Sequence, residues 1–426
     1  MSYGLAGYGA QSSLREGIVH VFWLSGMSCD GCSIAMLGAS NPSLEDLVLD
    51  RVPDLPLVVM HHPMISEESG RDLMAAYATA ADGTLGAPYI VVLEGSIPDD
   101  QALSAGQFAA IGSAADSPRG RGSGRHGAQQ LRATDWMIAL APGAAATIAI
   151  GTCATWGGIP AAAGNVTGSM SLMDFLGASY RSARGIPVVN VPGCAPQGDN
   201  FTETLTAIVR HLGGTRELPP FDELGRPAWL FDQTVHRHCP KAGYYEEGVF
   251  SEEPGDNQCL VEIGCWGPVV QCNIVERGAI NHIGGCMVAG GACIGCTMPG
   301  FPDKYSPFYK APPGSALSGG VSKVTGGGIR RLRRMSMKNA NREPIWDRAN
   351  DPTTAWGAAH GFIPSPIETV NSHFYKKLQY RGSVHHGERN KKQPQPKSLE
   401  ILRQKGIDLE ASTDVLQEHV ITREEL

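Results

Sequence analysis

The 426-residue chain is poor in charge, with Asp, Glu, Lys and Arg making up only 18% of it, against roughly a quarter in ordinary soluble domains. Neither sign dominates: 35 Lys and Arg stand against 42 Asp and Glu, a formal net charge of −7. That excludes the basic balance expected of a protein that binds nucleic acid or an anionic membrane. There is also no unbroken apolar run of the roughly 20 residues that a membrane-spanning helix requires. The longest uncharged stretch, Trp136 to Leu172, is interrupted by Pro142, Gly143, Gly151, Gly157, Gly158 and Pro160, and its apolar positions are largely alanine. It reads as a buried strand with Gly-rich loops. From Met1 to Gly17 there is neither a basic segment leading into an apolar one nor a twin-arginine pair, so no export signal is expected. A cytoplasmic location follows as an expectation, with any membrane association peripheral and through partners. Internal repeats are missing too, and neither a Gly-x-Gly-x-x-Gly motif nor a phosphate loop occurs in a suitable context.

What is present is glycine, 53 residues of it, and eleven cysteines. In a reducing compartment thiols rarely pair, and an odd count argues for metal or cluster ligation over a disulfide framework. The length suggests two or three domains.

Short apolar runs recur in the first half: Ile18 to Leu24, Leu57 to Met60, Tyr89 to Leu93, Thr147 to Ile150 and Ile186 to Val191. Runs this short, apolar on both faces and separated by helix-length segments, predict buried parallel strands in a doubly wound α/β domain. Open parallel sheets bind ligands beyond the carboxyl ends of their strands. Cys29 and Cys32 follow the first strand, Cys153 the fourth and Cys194 the fifth, so these four are expected to converge at one sheet edge. A polar stretch between Ile111 and Leu131 reads as a flexible surface insertion at 112–131. After Leu218-Pro219-Pro220 the pattern changes: seven cysteines and many glycines between Phe231 and Tyr309 leave little core, so metal centres must organise this segment. From Pro313 the chain is polar, with a basic run at Arg330, Arg331, Arg333 and Arg334 that reads as a solvated face. A linker from His385 and a short helix over Leu399 to Gln404 complete it. The expected division is an extension at 1–17, the α/β domain at 18–218, a cluster segment at 219–312 and a polar extension at 313–426.

The cysteines fall into groups. Cys29 and Cys32 form a Cys-x2-Cys, a spacing shared by zinc sites, thioredoxin-like pairs and clusters. A second group holds His236, His238, Cys239, Cys259 and Cys265, and a third Cys272, Cys286, Cys293 and Cys296. One histidine added to eleven cysteines makes three sets of four ligands with no thiol spare. Zinc and iron–sulfur clusters both remain open on this count. The clusters are favoured because ligands as far apart as Cys29 and Cys194 need a folded sheet to meet, whereas structural zinc usually gathers ligands locally. Glycines beside nearly every ligand also allow close backbone approach to a bulky group.

Ser28-Cys29-Asp30-Gly31-Cys32-Ser33, Gly151-Thr152-Cys153-Ala154-Thr155-Trp156-Gly157-Gly158, Val191-Pro192-Gly193-Cys194, the His-x2-Cys of His236 and Cys239, Gly264-Cys265-Trp266-Gly267-Pro268 and Cys293-Ile294-Gly295-Cys296 resemble the small subunit of [NiFe] hydrogenases. The resemblance runs from about Val19 to Tyr309. Within the family it is nearest to the actinobacterial-type, high-affinity, oxygen-insensitive uptake group. It implies a flavodoxin-like N-terminal domain followed by an irregular cluster domain. It implies that the NiFe centre sits in a separate large subunit, and that this chain has no catalytic residue and serves in electron transfer. The proximal cluster would be held by Cys29, Cys32, Cys153 and Cys194, the medial by Cys272, Cys286, Cys293 and Cys296, and the distal by His236, Cys239, Cys259 and Cys265. The family pattern prefers His236 over His238, and a neutral imidazole raises a cluster's potential, which suits the exit end. The acceptor is expected to be a quinone or a redox protein, and the assembly a dimer of heterodimers or larger.

Two departures from the family pattern matter. Cys286 falls where many members carry a proline beside a three-iron centre, so the resemblance predicts a lower-potential medial [4Fe-4S] cluster, making all three clusters [4Fe-4S]. The alternative is a buried, unused thiol. Asp30 is a candidate proximal ligand in place of one of the four cysteines, or a close neighbour of the cluster, as the three-cysteine, one-aspartate cluster of the group resembled here implies; the alternative is an aspartate bonding the free N–H groups of a helix N-terminus. The α/β part also resembles the quinone-proximal cluster subunit of respiratory complex I. That relative has one cluster and adjacent cysteines, so the seven cysteines from Cys239 onward tell against it.

Overall fold

A computed structural model describes residues 17–100, 107–113, 130–177, 179–222, 224–281, 283–309 and 319–328. The N-terminal extension to residue 16, the insertion between 114 and 129, the arginine run at 330–334 and the tail with its expected helix lie outside the described residues.

Five strands, β1 (Ile18–Ser25), β2 (Leu57–His61), β3 (Tyr89–Glu94), β6 (Ala146–Ile150) and β7 (Val189–Val191), form one parallel sheet in the order β2-β1-β3-β6-β7. Counted among themselves, that is the flavodoxin order, with its switch point between β1 and β3. The last strand starts later than the apolar run beginning at Ile186, and Pro187, which has no N–H to give a ladder, lies outside it. Two further strands, β4 (Ala110–Ser113) and β5 (Gln130–Arg132), pair antiparallel, so the outer residues of the 112–131 insertion are strand.

Helices cover both faces of the sheet. On one side α3 (Gly70–Ala81) and α4 (Ala133–Leu140) bury Leu73, Met74, Tyr77, Trp136 and Met137 against Phe22, Val91 and Leu93. On the other, α1 (Gly31–Leu37), α2 (Leu44–Val48) and α7 (Gly198–Leu212) bury Met36, Leu47, Phe201 and Leu205 against Val21, Trp23 and Ile148. Every residue of β3, β6 and β7 is buried, as expected of strands enclosed on both faces. The short helices α5 (Gly151–Trp156) and α6 (Leu172–Leu176) lie beyond β6.

From Ala228 regular structure is sparse: α8 (Ala228–Phe231), α9 (Val235–His238), α10 (Ala242–Glu246) and α11 (Ile274–Arg277) are four or five residues each. The core shared by α9, α10 and α11 holds Trp266, Phe301 and Tyr305 together with the buried Cys239, Cys265 and Cys293. Residues 319–328 form a helix whose Lys323 pairs with Glu262 at 2.6 Å. No helix among the described residues is long and apolar enough to cross a membrane.

Candidate metal-cluster sites

The strand ends gather the first ligand set. Cys32 lies within electrostatic reach of Cys29, Cys153 and Cys194, although Cys29 and Cys194 are 165 residues apart in sequence. Burial, then the Glu94 carboxylate and the neighbouring cysteines, push the Cys32 thiol far up, and burial raises Cys153 to about 11. Thiols this reluctant to ionise in the protein alone become ligands by giving their protons up to a bound metal. Two glycines make the necessary room. A Cβ on Gly151 (φ +82°) would stand 2.3 Å from Cys32 Sγ, and one on Gly158 (φ +55°) 2.8 Å from Cys153 Sγ. The Cys153 and Cys194 turns are tied together, since Thr152 N donates to Gly193 O at 2.9 Å and Gly193 N to Thr152 Oγ1 at 3.0 Å.

Glu94 was not singled out by sequence reasoning, yet it organises this edge. At 1% exposure, its Oε1 accepts from Cys32 N at 2.9 Å and Ser33 N at 3.2 Å, while Oε2 accepts from Trp23 Nε1 at 3.0 Å and from the Ser33 hydroxyl. Ser33 Oγ lies 2.9 Å from His62 Nε2. The free N–H groups at the start of α1 are thus satisfied by a carboxylate from β3. Asp30, the residue before the helix, sits in the left-handed region (φ 59°) and makes no side-chain cap. The capping alternative for Asp30 therefore fails, because Glu94 already occupies those donors.

The second set lines a cavity: His236, Cys239, Cys259 and Cys265 surround it with Lys241, Leu260, Val261 and Met287. The His236 ring meets Tyr245 edge-on at 4.7 Å. His238 points elsewhere, to Gln233 at 2.8 Å and towards Glu276 at 3.7 Å. Burial pushes Cys239 up to about 12. Lys241, also missed in the sequence, lends its main-chain N–H to Cys239 Sγ at 3.4 Å and anchors its ammonium on Asp256 O at 2.7 Å.

The third set lies between the other two. Cys272 has Cys296 and Cys286 as electrostatic neighbours, and Cys293 has Cys296 and Cys272. Cys296 also neighbours Cys194 of the first set, whereas Cys293 N donates to Cys265 Sγ of the second at 3.3 Å. Cys286 stands exposed beside this group. All eleven cysteines are free, and no three His, Cys, Asp or Glu side chains among the described residues converge tightly enough for one metal ion. Thiolates on a single zinc lie about 2.3 Å from it. Thiols ringed round a cavity, with glycines opening the space, fit a polynuclear group better.

Comparison with known proteins agrees with this reading. Residues 231–309 match the family of the C-terminal part of NiFe/NiFeSe hydrogenase small subunits, and residues 29–208 the 20 kDa subunit family of NADH ubiquinone oxidoreductase. The periplasmic [NiFeSe] hydrogenase small subunit of Desulfomicrobium baculatum is 34% identical over 73% of this chain and 96% of its own length. This chain is a member of the NiFe hydrogenase small subunit family. Its structure is similar to that of the actinobacterial-type NiFe-hydrogenase from Ralstonia eutropha H16, at 46% identity and a TM-score of 0.70 over 81% of this chain and 96% of that one. The Hydrogenase-2 small chain of Escherichia coli is 28% identical over 72% of this chain and 78% of its own. Hydrogenase small subunits pair with a large subunit in heteromeric NiFe hydrogenases, so the NiFe centre belongs to the partner, and the family implies iron–sulfur clusters in this chain. In the first ligand set Cys29 and Cys194 are exposed, and beside it α1 presents Ile34 and Leu37 to solvent at 68% and 51% exposure. An apolar face beside exposed thiols is what a partner subunit would cover.

Proposed function

We propose that this subunit serves a [NiFe] uptake hydrogenase, carrying electrons from hydrogen oxidation in the large subunit to a quinone or redox protein. Three [4Fe-4S] clusters, when bound, would supply reversible one-electron acceptors between the two ends. Cys29, Cys32, Cys153 and Cys194 hold the proximal one, Cys272, Cys286, Cys293 and Cys296 the medial one, and His236, Cys239, Cys259 and Cys265 the distal one. The observation that carries this is the unbroken succession of neighbours, Cys194 beside Cys296 and Cys293 against Cys265 Sγ, which joins an open ligand set to a buried one through a third.

Finer assignments extend the proposal. Asp30 is a proximal ligand or close neighbour, because its carboxylate is not used for capping. The oxygen-insensitive character and the dimer of heterodimers are proposed from the similarity to the actinobacterial-type enzyme.

The purified complex should contain about twelve irons in this subunit and oxidise hydrogen with quinone analogues. As isolated and oxidised, it should lack a strong three-iron paramagnetic signal, and Cys286→Pro should create one. A strong signal in the unaltered enzyme would remove the fourth medial ligand. A proximal potential unmoved by Asp30→Ala would remove Asp30 from the site.

A further inference from the structure

Arg226 lies in the loop between the two stretches matched to known families, at 0% exposure. Nε and Nη2 hold Asp222 Oδ2 at 2.8 and 2.7 Å, Nη2 also donates to Gln271 Oε1 at 2.5 Å, and Nη1 faces Met298 Sδ at 3.7 Å. The guanidinium lies 5.3 Å from the centroid of Phe231. Gln271 precedes Cys272 and Met298 follows Cys296 by two residues, so the cation is pinned against the middle ligand set. Asp222 lies on the outer side, its side chain 16% exposed, where water screens it more than it screens the buried guanidinium. The pair is therefore a dipole with its positive end inward.

Tyr305 approaches the same set, within electrostatic reach of Cys293, Cys296 and Arg226. It is 1% exposed, and its hydroxyl has no hydrogen-bond partner among the described residues. Its ring packs on the Cys293-Ile294-Gly295-Cys296 turn so closely that a Cβ on Gly295 would lie 2.3 Å from the ring. Burying an ion is costly, and so is leaving a buried hydroxyl unbonded. Both costs are offset if the middle set holds an anionic group. A four-thiolate cluster is anionic and becomes more so on reduction.

We infer that Arg226 and the Tyr305 hydroxyl tune the medial centre, raising its potential and offsetting the negative charge brought by the fourth thiolate, Cys286. This rests on the proposal that Cys272, Cys286, Cys293 and Cys296 hold a [4Fe-4S] cluster. Arg226 supplies a positive charge and Tyr305 an O–H donor.

The test is a redox titration of the whole hydrogenase complex, with the medial signal followed by paramagnetic resonance. Arg226→Met should shift the medial midpoint to lower potential, and Tyr305→Phe should shift it the same way by less. Asp222→Asn should shift it upward, since it neutralises the outer end of the dipole while Oδ1 still accepts from Leu224 N and Arg226 N, both 2.9 Å away. A packing role alone gives no such pair of opposite signs. If Arg226→Met does not assemble, the other two variants still decide the matter. Full iron content with an unmoved medial midpoint in Asp222→Asn and Tyr305→Phe overturns the inference. Failure of the underlying proposal looks different: the unaltered complex would then lack a medial four-iron signal.

Discussion

The two halves of the chain are stabilised by different means. The sheet half encloses Trp23, Phe22, Trp136 and Phe201 between helices in two continuous hydrophobic cores. In the half from Phe231 to Tyr309, no helix among the described residues exceeds five residues, and Cys239, Cys265 and Cys293 belong to its buried core. A hydrophobic pattern can specify the first. On the proposed assignment the second is held by ligation, together with the Trp266–Tyr305 contact at 4.6 Å and what it borrows from the sheet.

Removing iron should widen that contrast most. Anaerobic chelation is expected to abolish hydrogen-exchange protection over residues 231–309 while β1, β3 and β6 stay protected. Equal loss in both halves would show that the sheet also depends on metal. A smaller effect, at the junction of sheet and ligands, is expected from Glu94→Ala. It leaves Cys32 N, Ser33 N, Ser33 Oγ and Trp23 Nε1 without their acceptor, each worth about 1–3 kcal/mol when buried and unpaired. The expected outcome is a loss of several kcal/mol in denaturant unfolding of the sheet half and a proximal signal of reduced intensity. Glu94→Gln, which keeps one acceptor, should lose less.

The smallest effect is on pH, and it sharpens the contrast because it belongs to the sheet alone. His20 Nδ1 lies 2.8 Å from His61 Nε2, and burial lowers both rings to about 4. The folded chain thus keeps them neutral where the unfolded chain, with an ordinary histidine near 6.5, takes up protons. Stability should be full above about pH 6.5, decline as the pH falls towards 4 and level off below. Melting curves of the sheet signal across that range should show it, with a shallower decline in His61→Gln. A melting temperature independent of pH would contradict the buried neutral pair.

The sheet was legible because enclosed strands are apolar at every position, and β1, β2, β3 and β6 lie within one residue of their runs. The β4–β5 pair was not legible, since its two short strands are separated by a polar insertion that hides their relation. Cysteine is easily recognised as a ligand, and the strand ends explain why Cys29, Cys32, Cys153 and Cys194 meet. Glu94 and Arg226 could not be recognised in this way. A carboxylate at a strand end becomes a helix cap only when Cys32, 62 residues earlier, is brought beneath it. An arginine in a loop becomes a buried charge only when Gln271, 45 residues later, closes over it. The capping alternative for Asp30 fails for the same reason: its position before α1 suggests a cap, but a tertiary neighbour has taken the donors.

The join between the halves has a bearing on how such proteins diverge. Thr152 and Trp156, on the helix of Cys153, donate to the main-chain oxygens of Cys296 and Thr297, and Gln197 donates to that of Gly278. Each of these acceptors is a peptide carbonyl, which any amino acid provides. The cluster half can therefore change its side chains at these points without loosening its grip on the sheet, so long as its backbone path is kept. At these points drift in one half need not be answered by drift in the other, whereas the paired Asn200 and Asn273 side chains and the Arg277–Glu203 ion pair join the halves side chain to side chain and must change together.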